Sequence, residues 1–369
     1  MRVGIFVDSY KPYISGVTNS VEILSAELRL LGHTVYIIAP NYPNAKNDPN
    51  IIRVPSVKTS YKGFRIGLPF AKNIPELDII HIHSPFTVGL LGKWIAHKRK
   101  IPVVYTLHTF FTRYTHYAKF IPKSFAKNVV SIYIKNFANI ANSIIVPSTM
   151  AKRWLVKIGV KSPIEVIPTG ICHPEPVEGR KKNRSDLEIP ADAKVLIYTG
   201  RISKEKNIDF IINSFKKLRE KNSSLYLIIV GGGPLLKSLV GQKEERIVFT
   251  GEIPHSQIFD YYSASDIFLF ASQTETQGLV LAEAKSAGLP VVATFAGALI
   301  DSVRSGIDGF LTKREVLDFN EKIELLLNSK ELYDKFSKAC IEDVQANFAS
   351  TYIAKRIETL YNSQTKISS

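Results

Sequence analysis

Short apolar runs recur along this chain, each bounded by turn residues and separated by stretches of helical periodicity. That alternation restricts the fold more than any single motif does. In the first half the runs are Arg2–Asp8, Thr34–Ala39, Ile51–Pro55, Asp78–His83, Val103–His108, Ser143–Pro147 and Ile164–Pro168. Arg2–Asp8 is a continuous apolar run, as suits a strand covered on both faces. Between the first two runs a helix is expected from about Val17 to Leu31, with Val21, Leu24, Leu28 and Leu31 on one face. Gly32 then stands where a helix ends on a left-handed residue. Repeated in this way, strand and helix predict a parallel, doubly wound α/β sheet. Prolines, a glycine and charges from Cys172 to Ser185 interrupt the pattern. A second α/β run begins at Val195 and contains strands at Leu225–Val230, around Ile247, at 266–272 and at 290–295. Three helices are expected after it, over 315–328, 330–347 and 352–361. The predicted division is residues 1–171, a linker over 172–190, a second domain over 191–345 and a closing helical segment over 346–369.

A chain of 369 residues, 45% of them hydrophobic, is long enough for two such domains. Two cysteines, Cys172 and Cys340, provide neither a disulfide framework nor a thiolate metal site and point to a reducing compartment. No apolar run approaches the roughly 20 residues that span a bilayer. The first residues form a strand rather than a signal peptide. The expected location is the cytoplasm, as a soluble protein or one held peripherally on the inner face of the cell membrane. The net charge of +15 is unevenly placed. Residues 1–170 hold 22 Lys+Arg against 7 Asp+Glu, whereas residues 171–369 hold 26 of each. The basic half therefore calls for an anionic partner: a membrane, a nucleic acid or an acidic substrate.

Candidate site residues gather at strand ends. The stretch Glu275-Thr-Gln-Gly-Leu-Val-Leu-Ala-Glu283 follows the strand at 266–272 and leads into a helix from Leu279 to Ala287. In open α/β sheets, ligands bind at the carboxyl ends of strands. The backbone N–H groups from Thr276 to Val280, including Gly278 and Leu279, face outward at a helix N-terminus suited to phosphate. An ionised carboxylate at each end of the stretch accepts sugar hydroxyls. On spacing alone, two glutamates eight apart would equally describe a solvated helix face. Gly200-Arg201 closes another strand, with Lys206 five residues on and Asn207 placed to cap the next helix. A guanidinium grips phosphate oxygens in a fork and an ammonium adds a point charge, although an Arg and a Lys in a loop would equally describe ordinary solvent exposure. In the first half, Ser15-Gly16-Val17 opens a helix after a strand, and His83 and His108 end two others. The pair His81-Ile-His83 is expected to send its imidazoles to opposite faces of the strand, which would prevent joint metal ligation. A His83 satisfied by local backbone is the plainer alternative.

Taken together, these motifs resemble the retaining GT-B glycosyltransferases of family 4. The likeness lies in Glu-x7-Glu with its flanking Phe-Ala-Ser-x-Thr-Glu-Thr-Gln-Gly, in Gly200-Arg201-x4-Lys206, in Val230-Gly-Gly-Gly-Pro234 and in the turn at Gly306-Ile-Asp-Gly309-Phe. The resemblance covers nearly the whole chain. Thr106-Leu-His108-Thr-x4-Tyr114-Thr-His-Tyr117 looks in particular like bacterial diacylglycerol glucosyltransferases. The fold so implied is two Rossmann-like, doubly wound domains facing each other across a cleft, with the last helix crossing back to the first domain. The donor site so implied has Glu275 on hexose hydroxyls, Glu283 on the ribose, and Arg201 and Lys206 on the diphosphate. Backbone of Gly16, Gly200, Gly278, Leu279 and Val280 lies near phosphate, and His108 near the reacting sugar carbon. Where the family has Gly-Gly-Val in the first loop, Ser15 replaces the first glycine. No divalent metal is expected, because Arg201 and Lys206 already supply positive charge, and no cofactor is required.

For the acceptor, basic and large apolar residues interleave in three stretches of the first half. These are Lys58, Lys62, Phe64, Arg65, Ile66, Leu68 and Phe70; Trp94, His97, Lys98, Arg99 and Lys100; and Tyr114, Lys119, Lys123, Phe125, Lys127, Val129 and Ile132. Such mixtures suit an interfacial segment on anionic lipid; the bland alternative places the apolar members in the core. The implied reaction is transfer of glucose from UDP-glucose to 1,2-diacylglycerol in glycolipid synthesis. Transfer of mannose from a GDP-sugar to phosphatidylinositol, or of a hexose to a soluble saccharide, remains open, as does a sugar-nucleotide sensor without activity. A basic nucleic-acid-binding protein on an α/β scaffold is a different class, but no RNA or DNA module motif is present and no nucleic-acid partner is expected.

Overall fold

A computed structural model describes residues 1–59, 63–110, 122–171, 183–242 and 244–368. The chain divides into two units, Met1–Cys172 with Ser350–Ser369, and His173–Ala349.

The first unit runs β1 (Arg2–Phe6), α1 (Gly16–Leu30), β2 (Thr34–Pro40), β3 (Ile51–Val54), β4 (Ser56–Lys58), β5 (Arg65–Gly67), β6 (Ile79–Ile82), α2 (Thr87–Arg99), β7 (Val103–Thr106), α3 (Lys123–Ala138), β8 (Ser143–Val146), α4 (Thr149–Lys157) and β9 (Ile164–Val166). Its main sheet is parallel, in the order β3-β2-β1-β6-β7-β8-β9. The order reverses direction between β1 and β6, so the crevice beyond their carboxyl ends is the topological switch point. Strands such as β6, β7 and β8 are buried along their whole length because helices cover both faces. Each buried Ile, Val or Leu contributes about 1.5–3 kcal/mol through area removed from water. The antiparallel pair β4–β5 was not expected from the sequence; at three residues each, these strands carry too little pattern to read.

The second unit runs α5 (Asn183–Asp186), β10 (Lys194–Thr199), α6 (Ile208–Lys221), β11 (Leu225–Val230), α7 (Leu236–Val240), β12 (Ile247–Gly251), α8 (Ile258–Ser263), β13 (Ile267–Phe270), α9 (Leu279–Ser286), β14 (Val291–Thr294), β15 (Gly309–Thr312), α10 (Val316–Asn328) and α11 (Lys330–Asn347). Its sheet is also parallel, β12-β11-β10-β13-β14-β15, with the switch point between β10 and β13. Part of the stretch expected to be linker belongs here. Ile189 is buried in this core, and Arg184 donates to the Ala264 carbonyl at 2.7 Å and the Ala193 carbonyl at 3.0 Å.

The last helix, α12 (Ser350–Ser368), packs on α1 of the first unit. Ser350 Oγ donates to Glu27 at 2.6 Å, His33 Nε2 lies 2.8 Å from Glu358, and Ile353, Ile357 and Tyr361 enter the core.

Candidate functional site

The second unit places its site residues at the switch point of its sheet. After β13 the chain passes buried Ser272, and the Gln273 N–H donates to the Glu205 carbonyl at 3.1 Å. It then turns at Gly278, whose φ of +81° is left-handed. A Cβ there would stand 3.0 Å from Leu281 Cδ1, so both conformation and space call for glycine. Glu275 lies in this loop and forms an ion pair with Lys206. Lys206 also lies 5.9 Å over the Phe270 ring. The structure thus joins two residues that the sequence could only assign separately.

Glu283, inside α9, is held from two sides. His255 Nε2 is 3.2 Å from its Oε1, and the Tyr262 hydroxyl donates to its Oε2 at 3.2 Å. Tyr262 is buried and within 2.7 Å of Thr199 Oγ1. Burial, reinforced by the charge of Glu283, pushes the phenol far above its ordinary range and keeps it a donor. Neither His255 nor Tyr262 was singled out in the sequence, since both lie outside any strand-end motif.

Beneath this surface sits Lys285, fully buried, two residues after Glu283 and on the opposite side of α9. Its ammonium lies 3.0 Å from Asp308, 2.5 Å from Asp343 and 3.0 Å from the Ser302 carbonyl, tying α9 to the turn before β15 and to α11. The signal was present as a lone lysine in an apolar helix.

Gly200 and Arg201 follow β10. A Cβ on Gly231 would meet the Gly200 carbonyl at 2.1 Å, so the ends of β10 and β11 approach too closely for any side chain. Arg201 is exposed, and its carbonyl accepts the Tyr198 hydroxyl at 3.1 Å. Against the upward push of burial, Glu205's own backbone N–H and the positive charges of Arg201 and Lys206 hold its carboxyl below the usual range. Asn207 begins α6 in a left-handed conformation and makes no side-chain cap bond, contrary to expectation. Its backbone turn, rather than its amide, starts the helix.

In the first unit, Gly16 opens α1, exposed, with nothing within 4 Å of where a Cβ would stand. The serine that departs from Gly-Gly-Val has a local purpose: Ser15 Oγ accepts the Thr18 N–H at 3.2 Å and caps the helix. Asp8, beyond β1, caps α2 from a neighbouring strand, accepting from the Val88 N–H at 2.8 Å and the Thr87 hydroxyl at 2.9 Å.

His81 and His83 do not point to opposite faces. Residues two apart on a strand share a face, and their ring centroids are 4.1 Å apart. His83 Nδ1 in turn lies 2.8 Å from His108 Nε2. A cavity of about 30 Å³ borders His83, His108 and Thr106 on one side and Ile353 and Ile357 on the other. Among the described residues, no group of three His, Cys, Asp or Glu side chains is arranged to hold a metal ion.

The basic stretches are divided by the structure. Tyr114 and Lys119, like Lys62, lie outside the described residues. Lys123 is the first residue of α3 and Lys127 is exposed on it. On the same helix Phe125, Val129 and Ile132 share one face and are 61%, 50% and 59% exposed. They are not core, as the bland reading would require. On α2, Trp94 is 58% exposed with Lys98 Nζ 5.1 Å over its ring, and it borders a groove of about 820 Å³ with Arg53, Phe70, Lys72 and Leu90. No helix among the described residues is long and apolar enough to cross a membrane.

Two parallel Rossmann-like sheets, with acidic, basic and glycine residues at the strand ends of one and histidines at those of the other, define a glycosyltransferase of the GT-B class. The sequence profile described as Glycosyltransferase Family 4 matches residues 14–173, and the one described as Glycosyl transferases group 1 matches residues 179–343. An alpha-monoglucosyldiacylglycerol synthase from Acholeplasma laidlawii is 34% identical, covering 98% of this chain and 96% of its own. Another, from Streptococcus pneumoniae, is 37% identical over 79% of this chain and 71% of its own. The structure of Anabaena HepE in complex with UDP and glucose shares the fold, with a TM-score of 0.77 at 19% identity, covering 98% of this chain and 100% of that one. The chain belongs to glycosyltransferase family 4.

Proposed function

We propose that this enzyme transfers glucose from UDP-glucose to 1,2-diacylglycerol, with retention at the anomeric carbon, while bound peripherally to an anionic membrane surface on its cytoplasmic side. The observation that carries this reading is the likeness to the Acholeplasma synthase over almost the full length of both chains. The exposed stripe of Phe125, Val129 and Ile132 along α3, with exposed Lys127 on the helix's other side, supports the lipid surface, because apolar side chains enter the acyl boundary while cations meet headgroups.

Donor recognition starts from charges already paired. Lys206 forms an ion pair with Glu275. A diphosphate arriving at Arg201 and the α9 N-terminus competes for Lys206 and leaves Glu275 to accept two hexose hydroxyls. Glu283, fixed by Tyr262, takes the ribose hydroxyls. As the bond between the anomeric carbon and the β-phosphate oxygen breaks, its electron pair stays on that oxygen, beside Arg201 and Lys206. The diacylglycerol hydroxyl oxygen bonds to the carbon on the same face and passes its proton to the departing phosphate. The products are glucosyldiacylglycerol and UDP. His108 serves the reacting sugar, and no divalent cation is required.

Radiolabelled UDP-glucose is incubated with anionic vesicles containing diacylglycerol, and the lipids are extracted. Label in a monohexosyl lipid, absent with Glu275→Ala and insensitive to EDTA, is the expected result. UDP release with phosphatidylinositol or a soluble saccharide as the sole acceptor would overturn the acceptor. Failure with UDP-glucose but turnover of GDP-mannose would overturn the donor.

A further inference from the structure

The three histidines of the first unit form one hydrogen-bonded chain, and it ends on α12. His108 Nε2 is 2.8 Å from His83 Nδ1, His83 Nε2 is 3.2 Å from His81 Nδ1, and His81 Nδ1 is 2.6 Å from the Tyr361 hydroxyl. The other nitrogen of His81, Nε2, lies 2.6 Å from Thr106 Oγ1. Burial holds His81 at about 3 and His108 at about 4, and His83 is held well below its ordinary value by burial and its two neighbours. All three rings are therefore neutral near pH 7, each with one N–H and one acceptor nitrogen. In such a chain, a proton fixed at one end decides every tautomer.

Tyr361 fixes that end. Its side chain is fully buried, and burial pushes its phenol far above the ordinary range, so it keeps its proton. A buried O–H without an acceptor carries the full desolvation cost of its donor. Among the described residues, His81 Nδ1 is the acceptor within its reach. His81 Nδ1 is then unprotonated, and His81 Nε2–H donates to Thr106. His83 Nε2 lies 3.2 Å from the same unprotonated Nδ1, so it carries its proton there and makes the longer arm of a bond whose acceptor it shares with Tyr361. His83 Nδ1 is left as acceptor, and His108 donates to it from Nε2. The reverse order would set an N–H of His81 against the Tyr361 hydroxyl and strand that fully buried O–H, whereas the hydroxyl left to find another acceptor in the chosen order, on Thr106, borders the cavity.

We propose that Tyr361 is a positioning residue that acts through His81 and His83 to hold His108 in the Nε2–H tautomer, leaving His108 Nδ1 to accept a hydrogen bond from a sugar or acceptor hydroxyl. The second half of this statement rests on the role of His108 proposed above; the tautomer does not. The closing helix thereby sets the chemistry of a loop more than 250 positions earlier in the chain, through four side chains and no ligand.

Two-bond ¹⁵N–¹H correlation spectra of the full-length protein labelled in its imidazoles distinguish the two tautomers, with His108 assigned by the signals lost in His108→Asn. The expected result is His108 protonated on Nε2 in the unsubstituted protein. In Tyr361→Phe, His108 moves to a mixture of tautomers and kcat falls roughly 5-fold, with KM for the nucleotide sugar unchanged. An Nδ1–H tautomer for His108 in the unsubstituted protein overturns the proposal without recourse to any variant. So does a Tyr361→Phe protein whose His108 remains wholly Nε2–H. If the predicted tautomers appear but no nucleotide sugar turns over, the proposed function fails and the chain stands.

Discussion

The two units solve the problem of buried polarity in opposite ways. In the second, charges are matched: Lys206 with Glu275, Lys285 with Asp308 and Asp343, and Arg184 with Asp266. In the first, the polar groups along β6 and β7 form a line of uncharged imidazoles, buried Asp8 beyond β1 is spent on capping α2, and the excess cations lie outside with exposed apolar side chains. Matched charge suits a site that must exchange one ionic partner for another when a charged donor arrives. Neutral, proton-ordered rings suit a site that must present a fixed pattern of donors and acceptors to hydroxyls.

The largest expected effect tests the matched side of this contrast. Lys285→Met removes the buried ammonium between Asp308 and Asp343, leaving only the half-exposed Arg304 beside them, and should lower stability by about 3 kcal/mol, read from denaturant unfolding. A loss below about 1 kcal/mol would mean that the aspartates find solvent or take up protons at little cost. Next is Arg201→Ala, for which kcat should fall about 10²- to 10³-fold, the range seen when one preorganised charge stabiliser is removed. An unchanged kcat would assign the leaving group to other residues.

On the first unit, Phe125→Ser with Ile132→Ser should weaken sedimentation with anionic vesicles about 10-fold or more, since roughly 1.5–3 kcal/mol of burial is lost per side chain that enters the membrane. Donor affinity should not change. The remaining effect is on pH. Burial lowers the titration of His81 and His108 in the fold to about 3 and about 4, whereas an unfolded histidine titrates near 6.5. Below that value the unfolded chain takes up protons first. Stability that is fully present above pH 6.5 should therefore fall as pH drops, by about 1.4 kcal/mol per pH unit for each ring. A flat profile between pH 6.5 and 5 would contradict the buried chain.

Much of this contrast was legible before the structure. Continuous apolar runs such as Leu225–Val230 define parallel strands almost to the residue, because burial on both faces leaves no alternation to misread. The placement of Arg201, Lys206 and Glu275 after strands, and of Glu283 in the helix that follows, was legible from the apolar runs and helical periodicity around them. What was not legible depends on contacts distant in sequence. The pairing of Lys285 with Asp343 joins residues on two helices, and the bond between His81 and Tyr361 spans most of the chain. The shared face of His81 and His83 was readable from the two-residue repeat of a strand and was assigned the wrong way. Asn207 has the right type for a side-chain cap, but its left-handed backbone turns the amide away from that use.

The division of labour is tested most directly by initial rates at saturating UDP-glucose, measured as vesicle composition changes from neutral to anionic at fixed diacylglycerol. The account predicts that the rate rises with anionic lipid, that Phe125→Ser with Ile132→Ser removes most of the rise, and that KM for UDP-glucose stays the same throughout. A rate indifferent to vesicle charge, or a donor KM that shifts with the substitutions on α3, would contradict it.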